Sequence, residues 1–213
     1  MLWYNQLLSN QINDAAFYKK CAMELVEERR KTDIKILISA LEVENENISL
    51  TISNILYEVS LIDPSLLEED VDLFIKTCLG EKRLIHNNSL RILIILAPSK
   101  HKIIFQKLDV ISDLFINGDD DVKESFVTLL IVLAKLSQDY FKEICNALNV
   151  ILEFYPAETF VTCAKKVLPV VNKDNFECFQ KIIVKRRDDL QIIDQQEIDR
   201  ILSHILLKMS GKN

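Results

Sequence analysis

Glycine and proline are scarce in this chain: 3 and 4 of 213 residues. Tight hairpin turns consume both, so the shortage argues against an all-β fold. The five cysteines, Cys21, Cys78, Cys145, Cys163 and Cys178, include no CxxC pair. The three histidines, His86, His101 and His204, are scattered. A metal site needs clustered ligands, so none is expected, and no sequence feature calls for a cofactor. Long apolar runs are also missing. The longest, from Phe126 to Ala134, is interrupted by Thr128 and falls short of the roughly 20 residues that span a membrane. The opening Met1-Leu2-Trp3-Tyr4-Asn5-Gln6 lacks the basic stretch and apolar core of a secretory signal. The thiols then read as reduced small hydrophobes of a cytoplasmic protein. Basic charge is in deficit, with 26 Lys and Arg against 32 Asp and Glu and a net charge of -6. That balance disfavours a broad nucleic-acid surface. Gly80, Gly118 and Gly211 are isolated, and no GxSxG or HExxH pattern occurs, so no enzyme active site is expected.

What is present is an apolar periodicity. Hydrophobic residues make up 49% of the chain, enough for one good-sized core. From Val122 the apolar residues are Val122, Phe126, Leu129, Leu130 and Leu133, one stripe on a 3.6-residue helix. Stepping back 37 residues gives Ile85, Ser89, Ile92, Leu93 and Leu96, and again Ile48, Ile52, Ile55, Leu56 and Val59. Stepping forward 38 gives Phe160, Ala164, Val167, Leu168 and Val171, then Ile198, Leu202, Ile205, Leu206 and Met209. Only Ser89 breaks the pattern. A second ladder precedes each stripe, as in Leu67, Val71, Phe74, Cys78 and in Phe141, Cys145, Leu148, Leu152. Its end copies, Arg30-Ile34-Leu37-Leu41 and Phe179-Ile183-Arg186-Leu190, carry a polar residue, as terminal repeats of a stack do.

These ladders predict an all-α chain of five helix pairs over 32–209. Capping helices are expected over 1–31 (Leu2 to Ser9 and Asp14 to Arg30), and a short tail over 210–213. Asp33, Asn47, Ser65, Asp119 to Asp121, Thr159 and Asp194 are candidate helix starts. Pro64, Pro98 and Pro156 are placed between helices. Gly80 and Gly118 are read as left-handed helix ends.

The run Asp119-Asp120-Asp121-Val122-Lys123-Glu124-Ser125, leading into Leu129-Leu130 and Ala134, resembles the second-helix pattern of HEAT and armadillo-like repeats. The resemblance covers about five sixths of the chain as periodicity and one repeat as a motif. It implies a single right-handed α-solenoid domain over 1–213, a scaffold that binds other macromolecules along its second helices. On those helices, Asn54, Arg91, Thr128, Lys166 and His204 lie opposite the core stripe, and Asn87, Glu124 and Arg200 lie beside them. This polar, slightly basic ladder is the candidate docking face for an acidic or extended peptide segment; its alternative is an ordinary solvated face. Leu90, Ile94, Val127 and Ile131 form either packing between repeats or an exposed apolar patch for a partner helix or a second copy. Lys185-Arg186-Arg187 reads as a helix end, where cations complement the dipole.

The expected function is a non-enzymatic scaffold or adaptor whose partner is another protein. A second reading is a HEAT-like DNA-binding protein or alkylation-repair glycosylase, which needs a basic concave surface, a catalytic acid and aromatics. A third is a structural subunit docking through the apolar residues near Ile94 and Ile131.

Overall fold

The computed structural model describes residues 14–43 and 45–209. The expected helix from Leu2 to Ser9, Trp3 and the 210–213 tail lie outside them. Among the described residues every regular element is helical. In order they are α1 (Ala15–Glu27), α2 (Lys31–Val43), α3 (Glu46–Ile62), α4 (Val71–Cys78), α5 (His86–Gln106), α6 (Leu108–Ile111), α7 (Asp113–Asn117), α8 (Asp120–Leu136), α9 (Gln138–Phe154), α10 (Ala157–Val167), α11 (Phe176–Arg187) and α12 (Ile192–Met209). Four 3₁₀ turns join them: Pro64–Leu66, Glu68–Asp70, Arg83–Ile85 and Leu168–Val170. None of these helices is long and apolar enough to cross a membrane.

The chain divides into two compact units, Met1–Leu129 and Leu130–Asn213, with the boundary inside α8. In the first, α2 packs on α3, α4 on α5, α3 on α5 and α1 on α3. In the second, α9 packs on α10 and α11, and α12 on α10 and α11. Each is a set of sequentially packed helices, an arrangement consistent with helical repeats.

The periodic stripes form the core. Ile52, Ile55, Leu56 and Val59 are fully buried, as are Leu93, Leu96, Leu129, Leu130, Leu133, Phe160 and Ala164. The last copy is the exception. Ile198 and Ile205 are buried, but Leu206 is exposed. Ser89, the one polar residue in the stripe, is buried and satisfied. Its hydroxyl lies 2.8 Å from that of Thr77, which donates to the Phe74 carbonyl at 2.9 Å. A buried hydroxyl with partners costs little, whereas an unpaired one would cost about 1–3 kcal/mol.

The ends of the helices depart from expectation. Asp119 does cap α8, its Oδ1 accepting from Val122 N at 2.9 Å. The start of α3 belongs to Asn45, which accepts from Ile48 N at 3.1 Å, rather than to Asn47. Asp63, rather than Ser65, opens the turn after α3. Asp33, Thr159 and Asp194 lie within the first turns of α2, α10 and α12, where the two carboxylates, Asp33 and Asp194, favour the dipole without capping.

Pro98 does not separate helices: it lies inside α5, exposed to solvent. The missing N–H breaks one backbone bond, a cost of about 3 kcal/mol. Burying Ile104, which extends α5 past the proline, offsets it. The first helix of the third pair shrinks accordingly to the short α6 and α7. Neither Gly80 nor Gly118 is left-handed; that conformation falls to Arg29 (φ 46) at the end of α1. Gly118 is extended (φ -80, ψ 161), and glycine is required there by space. A Cβ would sit 2.5 Å from the Leu114 carbonyl oxygen and 2.5 Å from Val122 Cγ1.

Candidate partner-binding groove

Within the first unit, polar side chains lock successive second helices together. Asn88 on α5 donates through Nδ2 to Ser53 Oγ at 2.9 Å and to Asn54 Oδ1 at 2.8 Å on α3. One turn on, the Arg91 guanidinium lies 3.7 Å from the centre of the Tyr57 ring. Both links advance in the same direction along α3 and α5, so the two helices run parallel. Ser125 on α8 donates to Asn87 Oδ1 at 2.6 Å. Ser53 and Asn88 are buried. Paired this way they fix the rotation of α3 against α5, since leaving one amide unpaired in the interior is costly.

This framework opens a groove of about 430 Å³ across α3, α5 and the start of α8. One end is polar, with Asn87, Asp121, Glu124 and Ser125. The centre is Arg91 stacked on Tyr57, with Thr128 beside them. The other end is apolar, formed by Leu61, Ile94 and Ile95. Leu61 is 54% exposed, high for a leucine on a helix face.

Four of the polar candidates therefore converge: Asn87, Arg91, Glu124 and Thr128 line one groove. Asn54 does not line it; its side-chain oxygen is engaged by Asn88. Lys166 on α10 and Arg200 and His204 on α12 belong to the second unit. There Arg200 is paired with Glu197 at 3.0 Å, and Lys165 reaches the same carboxylate at 2.7 Å. Both cations hold the Glu197 carboxyl below its ordinary range. The groove is not basic, as the ladder had suggested: its lining holds one cation, Arg91, and two acids, Asp121 and Glu124.

Of the two readings of Leu90, Ile94, Val127 and Ile131, packing describes three of them. Leu90 and Val127 are completely buried and Ile131 is 7% exposed, so these are packing residues. A helix apolar all round is buried all round. Of the four, only half-buried Ile94 reaches a surface, as part of the groove.

Comparison of the chain with protein-family models, curated proteins and solved structures gives no match. The groove must speak for itself. Two of its residues, Tyr57 and Leu61, were not singled out from the sequence. Both were findable: Tyr57 and Leu61 follow Asn54 at helical spacings of three and seven residues, on the same face.

Two other features are structural. The Arg186 guanidinium is buried against the end of α9, donating to the carbonyls of Leu152 (3.0 Å), Glu153 (2.8 Å) and Tyr155 (2.8 Å). It also lies 4.8 Å from the Phe160 ring centre. It closes the helix whose terminal carbonyls lack intrahelical partners. Its neighbours are paired too, Lys185 with Glu153 and Arg187 with Asp199. A larger cavity of about 690 Å³ lies among Cys78, His86, Val110, Asp113 and Asp119. It contains no candidate residue, and a His86 ring nitrogen is held 2.8 Å from the Gly80 carbonyl oxygen.

Proposed function

We propose that this chain is a HEAT-type helical-repeat protein that acts as a non-enzymatic scaffold, holding a segment of another protein in the groove across α3, α5 and α8. The repeat reading is supported by the apolar stripe recurring at 37–38 residues and by the pairing of successive helices within each unit. The observation that carries the binding reading is the groove itself. It is open, apolar at one end and polar at the other, on parallel helices whose spacing is pinned by buried hydrogen bonds. An open site with chemically distinct ends suits an extended chain, whose side chains can reach separate subsites.

Affinity capture from native extract with wild type, Leu61→Asp and Ile94→Asp tests it. A protein recovered by the wild type and lost from both variants is the expected result. A protein retained by both places binding elsewhere. Nucleic acid in the capture, released by high salt, favours the glycosylase-like reading instead.

A further inference from the structure

The two ends of the groove differ in chemistry, and the difference selects its occupant. This inference rests on the groove being a peptide site and adds what kind of peptide it takes. At the apolar end, Leu61, Ile94 and Ile95 offer a surface that gains by covering. At the polar end, Asp121 and Glu124 are exposed on the first turns of α8. The single cation among the lining residues, Arg91, is stacked on Tyr57. An acidic occupant would meet two like charges there; a cationic one meets opposite charges.

The distance between the ends follows from the helix geometry. The Asn87–Ser125 hydrogen bond sets Asn87 beside the acidic end, and Ile94 belongs to the apolar end. Seven residues of α5 separate them, about 10 Å at 1.5 Å per residue. A chain in the extended polyproline II conformation, with three residues per turn and a rise of about 3.1 Å, covers that distance in about three residues and brings the third side chain back to the same face. We propose that the groove binds an extended protein segment bearing an apolar side chain and, about three residues away, a lysine or arginine: the apolar group covers Leu61, Ile94 and Ile95, and the cation reaches Asp121 and Glu124.

The test is selection from a displayed library of random dodecapeptides against the full chain, with affinities measured on the selected peptides. Wild type is expected to enrich peptides with an apolar residue about three positions from Lys or Arg. Asp121→Lys/Glu124→Lys is expected to bind them about tenfold more weakly and to select Asp or Glu at the cationic position. Raised salt should weaken wild-type binding. Circular dichroism of the double variant, with the single Asp121→Lys alongside, establishes that the helices are intact. Enriched peptides that lack the cation yet are lost with Ile94→Asp overturn this proposal and leave the groove reading standing. No enrichment, or enriched peptides indifferent to both Ile94→Asp and Arg91→Glu, overturns both.

Discussion

Single residues carry opposite roles in the two units. Arg186 interrupts an apolar ladder in the sequence, and the structure explains it: one guanidinium satisfies three carbonyls at the end of α9. Arg186→Ala leaves them buried and unpaired, a loss of about 2–4 kcal/mol, measurable as a fall in the denaturation midpoint. Arg186→Lys should not restore it, because one ammonium cannot reproduce the planar fork. The thiols make a second prediction. None of the five is in a disulfide, and Cys178 alone is exposed. Burial pushes the Cys21 thiol up to about 11, with Glu24 adding to the effect, and raises Cys78 and Cys145 as well. A thiol reagent at neutral pH should therefore modify Cys178 quickly and the other four only on unfolding, since the thiolate is the reactive form. Mass spectrometry after brief labelling reads this directly; modification of Cys78 in the folded chain would contradict it.

At the scale of the element, the core faces of the helices were legible and many of their ends were not. The stripes at offsets 0, 4, 7, 8 and 11 are carried by burial, which sums over many residues and survives a stray Ser89. A helix start depends on one hydrogen bond, so Asn45 could displace Asn47 at no visible cost to the pattern. Pro98 misled for the same reason: a local penalty was weighed without the distant Ile104 that offsets it. Gly118 was noticed for the wrong property. Since its need is space, Gly118→Ala should destabilise the α7–α8 junction by about 1–3 kcal/mol, seen as a lower melting temperature. Helix α12 supplies a pH prediction. Arg187 on α11 grips Asp199 with two hydrogen bonds of 2.8 and 2.9 Å, holding that carboxyl below its ordinary value. A depressed carboxyl stabilises the fold above its unfolded pKa and loses that contribution as pH falls through the folded one. The difference in melting temperature between wild type and Asp199→Asn should thus be largest near neutrality and vanish in acid below the usual aspartate range.

Over the whole molecule, the candidate site was half legible. The polar ladder opposite and beside the core stripe found Asn87, Arg91, Glu124 and Thr128, because residues on one helix face stay together. It could not tell that Asn54 is tied to Asn88 or that Leu90 and Val127 are covered, since side-chain pairing between helices has no periodic signature. Nor could it foresee the acidic end of the groove, which the Asn87–Ser125 link brings beside α5. Hydrogen exchange should grade the described chain accordingly. Amides in α3 and the first half of α5, buried by neighbours, should exchange slowest, and those of the short α6 and α7 fastest. The links from Asn88 to Ser53 and Asn54 have one more implication. They involve none of the side chains that line the groove. The distance between its α3 and α5 walls is thus held in part by residues that do not touch an occupant. Leu61, Ile94, Asp121 and Glu124 can be exchanged to suit a different peptide while the jaws stay at the same gauge.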